Sequence, residues 1–240
     1  MIEIRELTKK YGEFVAVDRL SLAVQPGEIF GFLGPNGAGK TTTIRIIAGL
    51  SLPTSGSVRV NGIDVAVDAL SAKAIMGYVP DRPYLYEKLT GRELLQFVVN
   101  LYDKEWRDCE PRALELLRYF ELHEWVDARI ENLSHGMKQK LVIISALVHD
   151  PAVLVIDEPM VGLDALAQRQ VRRLFRRLAD ERKTVFLTTH TLSIAEAVCD
   201  RVAILNRGTI IATGKTDDLR QERALEDVFL SLTYDDASAE

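Results

Sequence analysis

The stretch Gly34-Pro-Asn-Gly-Ala-Gly-Lys-Thr-Thr42 fits the spacing G-x-x-x-x-G-K-[ST]. It follows an apolar run from Glu28 to Leu33 and precedes a helical pattern that extends from Lys40 to about Leu50. Glycines allow the backbone to curl so that its N–H groups face phosphate oxygens, and the positive end of the next helix strengthens that attraction. A strand, such a loop and a helix in this order predict a triphosphate-binding site.

Two side chains of this loop have specific chemical roles. Lys40 can neutralise the β- and γ-phosphates, and the Thr41 hydroxyl can coordinate Mg²⁺. ATP is therefore the expected substrate, and Mg²⁺ is the expected cofactor. The loop residues assigned to nucleotide binding are Gly34, Pro35, Asn36, Gly37, Ala38, Gly39, Lys40, Thr41 and Thr42.

Two adjacent carboxylates follow a second apolar run, since Asp157 and Glu158 come directly after Val153 to Ile156. Ligands of α/β proteins bind at the carboxyl ends of strands, so both side chains are expected near the phosphates. Asp157 can hold Mg²⁺ directly or through water, and Glu158 can polarise the attacking water. Taken alone, the pattern is equally typical of a strand that ends in a solvated acidic turn.

A histidine ends a third apolar segment, because Thr184 to Leu187 is strand-like and His190 follows it closely. A lone histidine is more often structural or exposed. This one follows a strand that we expect beside the strand ending in Asp157, so we predict a contact between His190 and the γ-phosphate.

Strand-like and helix-like segments alternate along most of the chain, which predicts an α/β fold with a mostly parallel sheet. Alternation in the first thirty residues and the turn Asn61-Gly62 predict an antiparallel β subdomain at the N-terminus. From Thr90 the period becomes helical. Thr90 and Glu93 have the spacing of a capping box, and a second helix is predicted from about Pro111.

These patterns predict one domain over residues 1–240, with three parts. Residues 1–84 and 146–215 would form the nucleotide-binding core with its β subdomain. Residues 85–145 would form an inserted α-helical lobe, and residues 216–240 a C-terminal helix and tail.

Composition excludes several classes of protein. The net charge is −5, so no nucleic-acid partner is expected. The two cysteines are distant in sequence and form no CxxC pair, which argues against a disulfide framework or a zinc site. The apolar windows are far shorter than the ~20 residues of a membrane-spanning helix, so any membrane role would require a partner.

Together these motifs resemble the nucleotide-binding subunit of ABC transporters, and the resemblance covers nearly the whole chain. It implies that residues 34–42 are the Walker A loop and that Asp157 is the Walker B aspartate. It further implies that Glu158 is the catalytic glutamate, that His190 is the switch histidine and that the fold is a P-loop ATPase core. Tyr11 resembles the aromatic residue that stacks on adenine, and Val17 is assigned to the same nucleotide-binding set.

The segment Leu133-Ser-His-Gly-Met137 resembles the signature motif of this family, and Asp164 resembles part of its D-loop. In the family, the counterparts of Ser134 and Gly136 contact the γ-phosphate of ATP held by a second subunit. The resemblance therefore implies a head-to-tail dimer with two-fold symmetry, and a homodimer is expected here. The alternative for Ser134 is a plain helix N-cap, and both interpretations can hold together.

Two motifs depart from the family pattern. Asp81 replaces the usual glutamine, and we expect it still to approach the metal ion because it keeps an acceptor oxygen. In the signature motif, His135 and Met137 replace the usual glycine and glutamine, and His135 adds a titratable group. Asp81, the segment Tyr84 to Thr90 and the end Leu225 to Leu230 resemble the exporter-like branch of the family.

The resemblance implies an ATP hydrolase that drives transport, with export favoured, through a separate integral membrane subunit. The expected location is cytoplasmic, on the inner face of the cell membrane. Two alternatives remain open at this point: a soluble ABC-type ATPase of translation or DNA repair, and a low-turnover nucleotide-dependent regulator.

Overall fold

The computed structural model describes residues 1–82, 84–160 and 162–218. The strands within these residues are β1 (Ile2–Tyr11), β2 (Phe14–Val24), β3 (Ile29–Leu33), β4 (Ser55–Val60), β5 (Ile63–Asp64), β6 (Met76–Val79), β7 (Val153–Asp157), β8 (Thr184–Thr189), β9 (Arg201–Asn206) and β10 (Thr209–Lys215). The α-helices are α1 (Lys40–Ile47), α2 (Ala69–Ala74), α3 (Gly91–Leu101), α4 (Trp106–Tyr119), α5 (His135–Leu147), α6 (Ala165–Asp180) and α7 (Leu192–Val198).

A six-stranded sheet with the order β10-β9-β3-β8-β7-β6 forms the centre of the molecule. Strands β9, β3, β8, β7 and β6 are parallel, and only β10 at the edge runs antiparallel to its neighbour. The prediction of a mostly parallel sheet is therefore confirmed. Because β3, β8 and β7 are consecutive neighbours, the segments that follow them emerge at one edge of the sheet, where α/β proteins bind ligands.

Both faces of this sheet are covered, which explains why its inner strands are apolar throughout. In β3, Phe30 and Phe32 pack against the N-terminal β subdomain and α1, while Ile29 and Leu33 pack on the opposite side. The opposite side is covered by the longer helices, including α6. Successive side chains of a strand point to opposite faces, so each inner strand contributes to both cores.

The N-terminal β subdomain is a second sheet with the order β2-β1-β4-β5, and its three strand pairs are antiparallel. The hairpin predicted at Asn61-Gly62 joins β4 to β5, and both turn residues have positive φ, +47° and +84°. Positive φ at both central positions is the reason that Asn-Gly is favoured in such turns.

Helices α3 to α5 form the predicted helical lobe, inserted between β6 and β7. The predicted capping box is present at the start of α3: Glu93 N donates to Thr90 Oγ1 at 3.2 Å, and Thr90 N donates to Glu93 Oε2 at 2.8 Å. The predicted start of the second lobe helix is wrong. Helix α4 begins at Trp106 and contains Pro111, although proline fits best in the first turn.

Other differences from the sequence expectations are small. Helix α1 ends at Ile47 rather than near Leu50, and the sequence patterns did not predict α2, β6 or β10. No helix in the described residues 1–82, 84–160 and 162–218 has the length and apolar character needed to cross a membrane. The predicted helix and tail over residues 216–240 lie outside the described residues from 219 onward.

Candidate functional site

The P-loop, residues 34–42, connects the end of β3 to the start of α1. Gly39 stands directly before α1 with a φ of +104°, a conformation that residues with a Cβ atom rarely adopt. A Cβ atom at this position would lie 2.5 Å from the backbone oxygen of Ala16 in β2. Only glycine therefore fits where the loop enters the helix, and the packing against β2 fixes the position of the loop.

Lys40 is the buried cation of the site, with 7% of its surface exposed. Its Nζ donates hydrogen bonds to the backbone oxygens of Gly34 at 2.6 Å and Pro35 at 3.1 Å. Burial lowers the pKa of Lys40, and the negative charges of Glu158 and Asp157 oppose that shift. The structure thus brings Lys40 into the electrostatic field of the two carboxylates at the end of β7.

Asp157 is a buried carboxylate at the end of β7, paired in register with Thr188 of β8. Thr188 Oγ1 donates a hydrogen bond to Asp157 Oδ1. Burial raises the pKa of Asp157; the hydrogen bond from Thr188 opposes this, the charges of Asp81 and Glu158 raise the pKa further, and a hydrogen bond from Thr41 lowers it. A buried carboxylate beside two like charges is stabilised by a cation, which makes this position suitable for a metal ligand.

Glu158 follows in a strained backbone conformation, with a φ of +51°. Its backbone N–H donates to the backbone oxygen of Thr188 at 3.2 Å, which ties it to the end of β8. Its Oε1 accepts hydrogen bonds from the backbone N–H of His190 at 3.0 Å and from His190 Nδ1 at 2.7 Å. The two side chains for which the sequence predicts catalytic roles are therefore in direct contact.

A pocket of about 240 Å³ lies beside the P-loop, next to the tip of the β1–β2 hairpin. Val17 has no exposed surface, so its side chain is separated from this pocket, while its neighbour Ala16 lines it. Phe14 also lines the pocket, although no sequence pattern singled it out. The lining residues are Tyr11, Phe14, Ala16, Asn36, Gly37, Gly39, Lys40, Thr41 and Thr42.

Oxygen donors suited to Mg²⁺ are found at the same edge of the sheet. They are the hydroxyl of Thr41 and the carboxylates of Asp157 and Asp81, which influence one another through hydrogen bonding and charge. Residues 1–82, 84–160 and 162–218 contain no group of three or more His, Cys, Asp or Glu side chains arranged to hold a metal by themselves. Mg²⁺ commonly needs only one or two protein ligands when substrate phosphates and water complete its shell, so these residues fit it.

The signature residues lie on the helical lobe. Ser134 is the N-cap of α5, and its Oγ accepts a hydrogen bond from Met137 N at 3.2 Å. Asp164 is likewise the N-cap of α6, accepting from Ala167 N at 2.8 Å. The imidazole of His135 lies against Gly162. None of the hydrogen bonds among the described residues joins Ser134 or Gly136 to the P-loop of the same chain.

Comparison with known protein families gives a match to the ABC transporter family over residues 17–161. The chain is 40% identical to the Nod factor export ATP-binding protein I of Rhizobium etli, over 92% of this chain and 70% of that protein. It is 36% identical to the ABC-type transporter ATP-binding protein EcsA of Bacillus subtilis, over 100% of this chain and 99% of that protein.

A longer relative is the probable multidrug ABC transporter ATP-binding protein YbhF of Escherichia coli, which is 37% identical over 98% of this chain. The chain spans 42% of the length of that protein.

Solved structures show the same architecture. The structure of an ATP-binding subunit of an ABC transporter superposes with a TM-score of 0.91 and 32% identity, covering 97% of this chain and 99% of that one. A dimeric ATP-binding cassette in a post-hydrolysis state, bound to ADP and Pi, superposes with a TM-score of 0.81 and 26% identity over 90% of this chain and 99% of that one. The fold, the P-loop and the carboxylates that meet it agree with these matches, and the chain belongs to the ATP-binding cassettes of the ABC transporter family, which are ATPases.

Proposed function

We propose that this chain binds ATP together with Mg²⁺ and hydrolyses it to ADP and phosphate to drive transport through a separate membrane-spanning partner. The observation that carries this proposal is the position of Lys40 relative to Asp157 and Glu158. All three residues lie at the same edge of the central sheet, where the two carboxylate charges raise the pKa of Lys40 against the effect of burial. A phosphate-binding lysine in the loop after β3 and two carboxylates at the end of β7 supply the groups that phosphoryl transfer to water requires.

Each group has a role that follows from its position. Lys40 exchanges its bonds to the Gly34 and Pro35 oxygens for bonds to the β- and γ-phosphates. Glu158 accepts a proton from the water that attacks the γ-phosphorus, while the bond from that phosphorus to the ADP oxygen breaks. His190 holds Glu158 through its Nδ1 and backbone N–H and reaches the γ-phosphate with the rest of its ring.

Thr41, Asp157 and Asp81 are the residues that we expect to hold Mg²⁺. When bound, the ion neutralises charge on the β- and γ-phosphates during transfer. The raised pKa of Asp157, caused first by burial and partly by the charge of Asp81, supports a cation at this place. Asp81 is exposed and can turn toward the phosphates without breaking a core contact.

We assign Ser134 and Gly136 to the ATP bound by a second copy of the chain. Three observations support this: Ser134 is exposed at the N-terminus of a 13-residue helix, no described hydrogen bond links it to its own P-loop, and a related cassette forms a dimer. The N–H groups at a helix N-terminus attract anions. A homodimer with two equivalent sites is the arrangement that one chain of this kind can complete.

The helical lobe offers a surface for the membrane partner. The lobe groove, lined by Leu85, Tyr86, Glu87, Lys88, Leu89 and Phe97, has a volume of about 600 Å³. Tyr86 remains 61% exposed beside Phe97, their ring centroids 5.4 Å apart. An apolar helix from the cytoplasmic side of a transport subunit suits this groove. The proposal therefore has the chain bound to its partner on the inner face of the membrane. Export is the direction that we favour, because several relatives are named for export.

Co-purification from membranes tests the coupling part of the proposal. The tagged chain should recover a multi-spanning protein, and the double change Tyr86→Ala and Phe97→Ala should remove most of it while ATP binding stays intact. Trp125→Ala is the matched control, since Trp125 is an aromatic residue of the lobe that is 49% exposed outside the groove. Equal recovery with the double variant and the parent would contradict the assignment of the groove.

A further inference from the structure

The tip of the β1–β2 hairpin carries two large aromatic side chains that remain exposed. Tyr11 is 52% exposed and Phe14 is 64% exposed. The two residues are direct partners in the antiparallel pairing of β1 with β2. Direct partners in such a pair point to the same face of the sheet, with Cβ atoms roughly 4.5–5.5 Å apart. Since both line the pocket beside the P-loop, their rings form a single wall of that pocket.

One face of Tyr11 is already engaged within the chain. Lys9 Nζ lies 5.0 Å from the centroid of the Tyr11 ring and donates a hydrogen bond to the backbone oxygen of Leu52 at 2.8 Å. The ammonium group is thereby anchored against the ring and restrains it, as a cation–π contact does. The opposite face of Tyr11 remains for a flat ligand.

Phe14 has no comparable restraint among the described residues. It belongs to none of the aromatic ring pairs there, whereas inside the core Phe30 stacks on Phe186 and Phe32 packs against the same ring at a tilt. An exposed phenyl ring beside a pocket strengthens the binding of a ligand that covers it, because burial of its apolar surface lowers the free energy of the complex. Because Phe14 lines the pocket beside the P-loop, the ligand that covers it is expected to be the one that the P-loop binds.

We propose that Phe14 is a second residue that contacts the base, so that a purine is held against both Tyr11 and Phe14. This inference rests on the proposed function, since the P-loop must hold the triphosphate for the base to reach the hairpin. Stacking on aromatic rings grows with the π surface of the base. A wall of two rings therefore favours purine nucleotides over pyrimidine nucleotides.

Calorimetric titration of the full chain with ATP, CTP and tripolyphosphate tests this inference. Phe14→Ala should lower the affinity for ATP by about fivefold or more, as expected for the loss of one stacking contact. The affinity for CTP should fall less, and that for tripolyphosphate, which has no base, should not change. Val15→Ala is the matched control, because Val15 is the next residue of β2, is 38% exposed and does not line the pocket.

Two further variants make the result independent of any folding defect. Phe14→Trp keeps an aromatic surface and should retain the affinity for ATP, whereas Phe14→Leu keeps the bulk and should lose affinity. Equal ATP affinity of the leucine variant and the parent would overturn the inference, and so would a parallel loss of tripolyphosphate affinity in Phe14→Ala. A parent that binds neither ATP nor tripolyphosphate would instead contradict the proposed function on which the inference rests.

Discussion

Oε1 of Glu158 accepts two hydrogen bonds from His190, one from its backbone N–H at 3.0 Å and one from its Nδ1 at 2.7 Å. A carboxylate accepts but does not donate, so this contact requires a proton on Nδ1 of the imidazole. Lys40 is engaged in a similar way by the carbonyl oxygens of its own loop. Both groups that act on ATP are thus held by protein partners. Phosphate oxygens replace the carbonyl partners of Lys40, whereas His190 continues to hold Glu158.

Replacement of Glu158 by glutamine is expected to stop hydrolysis and spare binding. Glu158→Gln keeps a hydrogen-bond acceptor for His190 but cannot take a proton from water, so phosphate release should fall by about 10²–10⁴-fold. ATP affinity should stay close to that of the parent, and dimers should accumulate with ATP bound. Glu196→Gln, a change in α7 away from the P-loop, is the control. Parallel assays of phosphate release and nucleotide binding would refute the role of Glu158 if turnover were unchanged.

Asp81 is expected to contribute to the binding of Mg²⁺. Asp81→Asn removes a charge that raises the pKa of Asp157, so the pKa of Asp157 should fall. The variant also removes an anionic oxygen, and the apparent affinity for Mg²⁺ in the presence of ATP should fall by about tenfold. A titration of nucleotide binding with Mg²⁺ measures this, with Asp108→Asn on α4 as the control. Identical Mg²⁺ dependence of Asp81→Asn and the parent would remove Asp81 from the site.

The two glycines with positive φ in the P-loop should differ in their tolerance of a methyl group. A Cβ on Gly39 would lie 2.5 Å from the Ala16 oxygen, whereas a Cβ on Gly37 would meet nothing within 4 Å. Gly37→Ala should cost about 1 kcal/mol of stability from backbone strain alone. Gly39→Ala should lower the unfolding temperature further and weaken ATP binding by displacing the loop. Similar unfolding temperatures and affinities for the two variants would show that the contact with β2 does not hold the loop.

Stability of the fold should fall in mild acid because of His149. This residue is buried between the lobe and the core, where its Nε2 lies 3.0 Å from the Met76 oxygen and its ring stacks on Tyr102. Burial lowers its pKa from 6.5 to about 4, although the Met76 oxygen opposes the shift. Between these two pKa values, His149 is therefore protonated in the unfolded chain but neutral in the folded chain.

This difference in proton uptake makes the folded state less stable as the pH falls. As the pH falls from 6.5 toward about 4, the free energy of unfolding should drop by up to ~1.4 kcal/mol per pH unit from this group. Urea unfolding at pH 7 and pH 5 measures the effect. His149→Phe keeps a stacking ring without a titrating group and should show a smaller difference between the two pH values. His123→Gln, at an exposed position, should behave as the parent; a parent-like pH difference in His149→Phe would exclude His149 as the cause.

Sequence patterns predicted the elements in which the spacing of apolar residues and the turn or capping residues at the ends indicate the same type of structure. The apolar strands β3 and β7, the Asn61-Gly62 hairpin and the capped start of α3 have this property, because burial and turn chemistry leave few alternatives. Helix α2 has only six residues and no apolar stripe, so periodicity could not reveal it. Strand β10 is an edge strand in which no residue is fully buried, so it lacks the apolar alternation that marks a half-buried strand.

Some residues belong to the site only because segments distant in sequence pack together, and sequence patterns could not predict them. Ala16 and Val17 are adjacent in β2, and only the approach of the hairpin to the P-loop decides which of them faces the pocket. Phe14 becomes a pocket residue for the same reason. The contact of His135 with Gly162 joins segments that are remote in sequence, so no local sequence pattern predicts it.

Equilibrium binding of ATP to the purified chain and to Lys40→Ala, with and without Mg²⁺, tests the central claim most directly. The parent should bind ATP with an affinity that rises with Mg²⁺. Lys40→Ala should bind about 10–100-fold more weakly, as expected for the loss of a charge-assisted hydrogen bond to phosphate. Equal affinity of the variant and the parent, or a parent without Mg²⁺-dependent binding, would contradict the assignment of residues 34–42 and Asp157 to a nucleotide site.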